Sequence, residues 1–421
     1  MQVMTLRDQS KRQGGFYVPR YEIKIAGANL PQNVVRDVLQ VTYSDNIKEL
    51  DSFELTVSNW DAEKREFKYV GSETSDSLAI NPLHQLFNPS RHGVEVAMGY
   101  EKDLMLMMKG DLTTMEPNFP SAGGPTLTVR GLNILHKLRR KQYSHTWVAD
   151  SSEGETAKHP SGWRESDIAK SLRTLTDPDD KEKKPRFPLP VEIDENALSK
   201  EHPIVYVAQD SQYDIDFLLS RARRIGYIVF IKEEERDKGQ ITKERRLYFG
   251  PSDANHPAVR LTTFELRWGT SLIDFKPTLT TANQVKSVTV KGWDRSTKQP
   301  IIGRASLDDR KFGLNRDLLK LLDASDSREE QVVDKPVFTQ KEADELARAI
   351  LLERSKDLVR ASGTCIGLPE LRAGQRVKIA GVGSRLSGEY FVTDTTHTIN
   401  DSGYVTRFNA RREDTKASRA Q

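Results

Sequence analysis

Runs that alternate apolar and polar residues recur along most of this chain, and that period of two limits its fold more than any other feature. Successive side chains point to opposite faces of a strand, so each run buries one face and leaves the other for solvent. In YEIKIAG the inward phase is Tyr21, Ile23 and Ile25. In FELTVSN it is Phe53, Leu55 and Val57, while VLQVTYS carries Val38 and Val41 less regularly. GVEVAMGY, LMLMMKGDLTTME and PTLTVRGLNIL continue the series between residues 93 and 139, with a turn over Ser121, Ala122, Gly123, Gly124 and Pro125. Half-buried antiparallel strands are the expectation.

The same punctuation returns near the C-terminus. Gly93 precedes Val94, Val96 and Gly99, Gly110 opens LTTME, and LTVRG follows the turn at Gly123 and Gly124. Gly374 precedes Val377, Ile379 and Gly381, Gly388 opens YFVTD, and YVTRFNA follows Gly403. Gly110 to Gly124 spans 14 positions and Gly388 to Gly403 spans 15. Two readings fit this spacing: the glycine punctuation that antiparallel hairpins share in general, or a duplication in which two similar β units flank a different middle region.

That middle region mixes signals. Polar loops cover Ala149 to Gly162 and Thr176 to Pro190. Asp214 to Ile225 reads as a helix whose apolar stripe is Ile215, Leu218, Leu219, Ala222 and Ile225, capped by Asp214 and ended by Gly226. YIVFIKEE and RRLYFG read as strands. Further on, a charged stretch from Asp323 to Lys335 leads to a capping box, Thr339 to Glu342. An apolar stripe of Ala343, Leu346, Ala347, Ile350 and Leu351 follows it. The organisation expected is a basic arm over residues 1–20, a β-barrel domain over 21–135 and an α+β insert over 136–265. A second β-barrel domain with a helix at 339–361 covers 266–413, and a disordered tail covers 414–421. The fold class is mainly β with an α+β insert.

A chain of 421 residues holds more than one domain, and a net charge of +3 gives no overall drive toward nucleic acid. Local basic clusters occur at Lys137, Arg139, Arg140 and Lys141, which suit an acidic protein surface, and at Arg221, Arg223 and Arg224, on the solvent face of a helix. No apolar run approaches the roughly 18 residues a membrane helix needs. The start, MQVMTLRDQSKRQGGF, has no signal-peptide core. Cys365 is the one cysteine, so no intrachain disulfide forms, and its place in SGTCIG reads as a core position. Folding in a reducing compartment fits these features.

Catalytic constellations are missing from the sequence. The eight histidines (His84, His92, His136, His145, His159, His202, His256, His397) lack zinc-site spacing, and there is no CxxC. No GxSxG surrounds Ser161 or Ser387, and Gly381-Val382-Gly383 lacks the third glycine of a dinucleotide loop. Carboxylate pairs occur at Asp179/Asp180, Asp214/Asp216 and Asp308/Asp309. They motivate one alternative, a cell-wall hydrolase. Trp147, Trp163 and Trp268 motivate another, a carbohydrate- or receptor-binding protein. No catalytic, cofactor or metal residue is assigned, and a structural, non-enzymatic protein is expected.

Four segments resemble one family. VTVKGWDRSTKQPIIGRA (288–305) looks like a strand-turn-strand of phage late control protein D and related baseplate hub proteins. DIDFLLSRARRIGYIVFI (214–231) resembles the helix-Gly-Tyr-strand element that these share with VgrG proteins of type VI secretion. TLTVRGLNILHKLRR (126–140) and LPELRAGQRVKIAGVGSRLSGEYFVTDTTHTINDSGYVTRFNARR (368–412) are similar to the segments that leave the first barrel and close the second. The resemblance implies a homotrimeric hub of a contractile tail or injection system. Its six β-barrels would join a hexameric tail tube to a separate trimeric spike, the chain stopping soon after the closing barrel. It implies contacts with other baseplate components, no cofactor, no nucleic-acid specificity and no stable membrane insertion. Gly226, Tyr227, Gly292, Trp293, Asp294, Gly374, Gly388 and Tyr390 are its motif positions. Tube-facing loops are expected at Asp45 to Ser52 and Ser384 to Gly388, with Asp45, Lys48, Glu49, Ser384, Arg385 and Ser387 as candidates.

Overall fold

The computed structural model describes residues 3–12, 16, 18–74, 81–89, 93–101, 103–150, 159–237, 240–252, 263–282, 284–295, 297–306, 328–383 and 386–412. The tail at 414–421 and the pair Asp308/Asp309 lie outside them, as do Ser384, Arg385, His92 and His256.

The chain begins with β1 (Val3–Met4), β2 (Pro19–Ile25), β3 (Ala28–Asn29), β4 (Val38–Asn46), β5 (Ser52–Ser58), β6 (Trp60–Asp61), β7 (Glu66–Phe67), β8 (Gly93–Tyr100), β9 (Asp103–Asn118) and β10 (Thr126–Asn133). The middle region holds β11 (Gln142–Val148), β12 (Val191–Ile193), β13 (Tyr206–Tyr213), β14 (Tyr227–Lys232), β15 (Glu235–Asp237), β16 (Gln240–Lys243) and β17 (Arg246–Pro251). Then come β18 (Thr263–Arg267), β19 (Leu272–Leu279), β20 (Ser287–Asp294), β21 (Gln299–Ser306), β22 (Glu329–Val332), β23 (Val359–Ile366), β24 (Arg376–Ala380), β25 (Gly388–Asn400) and β26 (Gly403–Arg412).

Fourteen of these strands form one sheet among the described residues, and its order contains a duplication. The first β unit runs β4-β5-β10-β9-β8 and the second β19-β23-β26-β25-β24, every neighbouring pair antiparallel. Taken in chain order, the five strands occupy the same places in both. Bulges fall at matching places too. Leu39 is the extra residue of β4 against β5, and Ile273 that of β19 against β23. Thr113 is the extra residue of β9 against β10, and Thr393 that of β25 against β26. Each bulge threonine donates its hydroxyl to the matching carbonyl, Thr113 to Arg130 (3.4 Å) and Thr393 to Asn409 (3.1 Å). The sixth strands differ, since β2 is antiparallel to β8 whereas β18 is parallel to β24.

This register corrects the glycine alignment read from sequence. Val94 and Val96 do match Val377 and Ile379, and Gly124 matches Gly403. Gly110, however, matches Tyr390 rather than Gly388, an offset of two residues. A second correction concerns the arm. Val3–Met4 pairs with Thr263 and Phe264, and Met4 is buried in the second unit's core, because even two residues complete an open strand edge.

Two further layers surround the sheet. In the middle region the helix Asp214–Arg224 buries Ile215, Phe217, Leu218, Leu219 and Ala222 over a core that includes Trp147, Phe187 and Phe249. Gly226 follows its last turn with φ +73°, a conformation other residues rarely hold, and Tyr227 starts β14. The 288–305 hairpin makes its own sheet, β21-β20-β22, and pairs with no strand of the large one. Strand β22 arises inside the charged stretch, where Val332 alone of its residues is buried. The helix Gln340–Lys356 lies on this sheet and is shorter than expected, since Val359–Ile366 alternates as strand β23. Gly303 allows the contact, because a Cβ there would stand 2.2 Å from the Ala343 carbonyl carbon. Gly292 in β20 faces Val337 in a similar way, and Trp293 beyond it is exposed.

Gly303→Ala is expected to lower stability by about 1–3 kcal/mol. Gly124→Ala, with nothing within 4 Å, should stay within about 0.5 kcal/mol of the parent. Thermal unfolding of the two variants checks this, and equal midpoints would contradict it.

Candidate functional site

The two β units meet at one ladder, β4 on β25, running antiparallel from Asn46↔Asp394 to Gln40↔Asn400. Alternation sorts its residues. Val41, Tyr43 and Asp45 point inward with Thr395, His397 and Ile399, and Gln40, Thr42, Ser44 and Asn46 point outward with Asp394, Thr396, Thr398 and Asn400. The outward set continues without a break over eight strands, β9-β10-β5-β4-β25-β26-β23-β19. It is rich in hydroxyl and amide groups, including Thr56 against Thr128 (3.5 Å) and Ser44 against Thr396 (3.3 Å). Apart from Arg411, which is buried and pairs with Glu353 (3.2 Å), its charges balance: Arg130, Arg407, Arg360 and Lys276 against Glu54, Glu116, Asp394 and Asp274. Arg130 bridges Glu54 (2.8 Å) and Glu116 (2.6 Å). A cleft of about 490 Å³ opens at one end, lined by Asn46, Lys48, Lys276, Arg360, Asp394 and Arg411 among others.

Beneath this face a buried polar cluster ties the units together. Arg372, from the turn before β24, donates through Nε to Asp45 (2.6 Å) and through Nη2 to the Met107 carbonyl (3.1 Å) and the Tyr43 hydroxyl. Asp45 also accepts from Ala373 N (3.2 Å) and the Thr395 hydroxyl. His397 donates from Nε2 to the Leu371 carbonyl (3.0 Å), which leaves Nδ1 to accept from Tyr404 (2.9 Å). Burial pushes this imidazole down to about 3, so it is neutral. Burial opposes the charge on Arg372, yet Tyr43, Asp45 and Asp51 hold its pKa above the usual value. Asp51 is pushed up to about 8, first by burial and then by the nearby Asp45. The middle region closes the cluster with Phe230 and Tyr248, which pack with Ile47, Ala373 and Phe391.

The candidates chosen from sequence fall in several places. Asp45, expected on a tube-facing loop, is buried, because it falls in the inward phase of β4 opposite Thr395. Lys48 and Glu49 are exposed beside it, Lys48 pairing with Glu353 (3.3 Å). Ser387 is half-buried, its N–H bonded to the Gly383 carbonyl (2.9 Å). Gly374 N bonds the Val392 carbonyl (2.9 Å), and Gly388 opens β25. Tyr390 is buried and donates to Leu386 O (2.7 Å), and Asp294 accepts from the Thr297 hydroxyl (2.7 Å).

The basic clusters find their acids within the chain. Lys137 pairs with Asp111 (2.9 Å), Arg139 with Asp216 (2.8 Å), and Lys141 with Asp177 and Asp179 (both 2.6 Å). On the helix face expected to be solvated, Arg221 pairs with buried Glu165 and Arg224 with Glu342. Asp214 is not a cap either. The N-cap is Tyr213, and Asp214 lies buried against Arg186, also buried. Trp147, offered as a surface platform, is buried and stacked on Phe217 (5.2 Å). Trp163 stacks on His159 (3.6 Å), and Trp268 is 60% exposed. Arg372 was not picked from sequence. An acid in the inward phase of VTYSDN is the signal that a buried cation must face it.

Comparison with solved structures places the fold. The 43 kDa tail protein of prophage MuSo2 from Shewanella oneidensis superposes with a TM-score of 0.61 at 12% identity, covering 94% of this chain and 98% of that one. A tail protein from Neisseria meningitidis gives 0.60 at 13%, covering 94% and 97%. An Escherichia coli component of the type VI secretion system, described as similar to the T4 tail proteins gp27 and gp5, gives 0.52 at 12%, covering 93% and 77%. At these identities the likeness is one of fold. The family model described as the Alg8 N-terminal domain matches residues 189–401, just over half of the chain, and the chain belongs to that family. No curated protein matches the sequence. No helix among the described residues is long and apolar enough to cross a membrane.

Two outcomes test the buried cluster. Asp45→Asn leaves Arg372 charged without its carboxylate and should cost about 3–5 kcal/mol; a loss below about 1 kcal/mol in denaturant unfolding would contradict the clamp. Asp51 has its folded pKa raised above the ordinary carboxylate value of about 4. The stability this contributes is complete below that value and is lost as pH rises toward about 8. Asp51→Asn should therefore gain on the parent between about pH 4 and pH 8, and parallel stability curves over that range would contradict it.

Proposed function

We propose that this protein is a structural baseplate hub of a contractile tail or injection system, resembling late control protein D and VgrG, and not an enzyme. One observation carries the reading: two β units with the same strand order sit side by side in each chain, joined by β4 and β25 into one sheet. A chain built so supplies two similar tube-like barrel elements per copy. Three copies then present six to a hexameric tail tube while keeping the three-fold symmetry of a separate trimeric spike. The fold shared with phage tail proteins supports the same reading.

The eight-strand polar face is suited to line the channel of such a ring. Its hydroxyls, amides and balanced charges give a passing polymer neither an apolar patch nor a net field to bind. Lys48, Glu49 and Ser387, with Ser384 and Arg385, remain the proposed tube-facing positions. Assembly is proposed to take place in the bacterial cytoplasm, alongside other baseplate components.

Light scattering on the purified protein should give a trimer mass, alone or once tube and spike proteins are added. A monomer that persists in their presence would overturn the hub reading.

A further inference from the structure

The small sheet β21-β20-β22 has one closed face and one open face. Inward, Val288, Val290 and Ile301 are buried beneath the helix Gln340–Lys356. Outward, strand alternation sets Trp293 opposite Pro300, Lys291 opposite Ile302 and Thr289 opposite Arg304. Val333 comes directly after the buried Val332 of β22 and so shares the outward face. Trp293 is 57% exposed, Val333 71% and Ile302 37%. We propose that this face binds an acidic segment of a second protein, with an apolar side chain of that segment packed on Trp293. The inference goes beyond the hub reading, whose polar face lies on the large sheet, with which the small one shares no strand pair.

Charge identifies the occupant. Lys291 and Arg304 stand on the face, and Arg295 and Lys298 lie in the turn beside Trp293. None of these four makes an ion pair among the described residues; Lys291 donates to the Gln331 amide oxygen (3.1 Å). Elsewhere Lys137, Arg139, Lys141, Arg221 and Arg224 all find acids within the chain. Among the outward side chains of the three strands Glu329 alone is acidic, and it stands at the end away from Trp293. The nearby acids are engaged, Asp294 by the Thr297 hydroxyl (2.7 Å) and Asp344 by Arg304 N (3.2 Å). Carboxylates arriving from a partner therefore meet cations that no internal acid already holds.

The apolar residues decide between a peptide and a nucleic acid. Pro300, Ile302 and Val333 flank Trp293, and a phosphate backbone has nothing to bury against them. One indole also gives a nucleic acid only one stacking platform. A peptide brings apolar side chains and carboxylates together. A cleft of about 640 Å³ continues the face beyond Lys291, lined by Ser287, Thr289, Ser306 and Gln331 among others, whose hydroxyl and amide groups suit a peptide backbone. From Ser287 to Trp293 the face runs roughly 20 Å, the length of about six extended residues. The segment lies across the side chains and not along the outer edge of β21, because the helix occupies that edge. Ile302 N donates to Gln340 Oε1 (3.3 Å), and Gln340 Nε2 donates to the Ile302 carbonyl (2.8 Å).

Selection of a random-peptide library on the purified protein tests the proposal. Enriched peptides should carry Asp or Glu beside an aromatic or aliphatic residue. Their affinity should fall about tenfold or more for Trp293→Ser and about threefold for Arg304→Gln, and it should weaken with added salt. Trp268→Ser removes a comparably exposed indole outside the small sheet and should leave the affinity unchanged. Both tryptophans are on the surface, so both variants should keep the thermal midpoint of the parent. No enrichment, enrichment of basic peptides, or an affinity indifferent to Trp293→Ser overturns the proposal. So does a single-stranded oligonucleotide that binds more tightly than the peptides and depends on Trp293. Loss of a trimer in Trp293→Ser would mean that a second copy covers the face, which overturns the proposal and leaves the hub reading standing. A persistent monomer that still selects acidic peptides through Trp293 overturns the hub reading and supports the proposal.

Discussion

The arrangement hangs on one ladder and the ion pair under it. Strand β4 lies on β25 over seven residues, and Asp45 in that ladder holds Arg372. Taking two charges out of water is costly, and a buried pair seldom adds net stability over a well-packed apolar alternative. What such a pair supplies here is a register. A one-residue slip of β4 would turn both Asp45 and Tyr43 to the polar face and leave Arg372 buried without either. The ladder therefore holds the two units at one setting, and the polar face is continuous because of it.

The same device recurs between the other parts. Arg224 of the middle helix reaches Glu342 at the start of the helix on the small sheet, where that glutamate also accepts from Phe338 N (2.8 Å). Arg186 meets Asp214, and Arg221 meets Glu165, both in dry surroundings. A chain with 64 basic and 61 acidic residues thus spends a good share of them on fixing its own parts. Several of these charges are matched within the chain, and most of those on the outward face of the sheet are balanced as well.

Much of the strand content was legible because a half-buried strand writes its period into the sequence: Tyr21 to Ile25, Phe53 to Val57 and Val94 to Met98 all obey it. The helix at Asp214 and the capping hydroxyl of Thr339, which accepts from Glu342 N (3.2 Å), were legible for similar local reasons. Long-range pairing was not. Val3–Met4 is too short to show a period, and β22 hides in charged residues because one buried side chain suffices at an edge. The glycine alignment slipped by two because strand pairing, and not the placing of glycines, sets which residues correspond, and that pairing is not written in any local pattern. The role of Arg372 depends on contacts hundreds of residues apart in the chain, which no local pattern encodes.

If two like units joined at β4 and β25 are the basis of assembly, the ring should show it directly in projection. Electron-microscope class averages viewed down the axis should have an inner wall of six equivalent lobes inside three outer densities, one for each middle region. An inner wall of three lobes, or lobes of two unequal kinds set at different radii, would contradict the account.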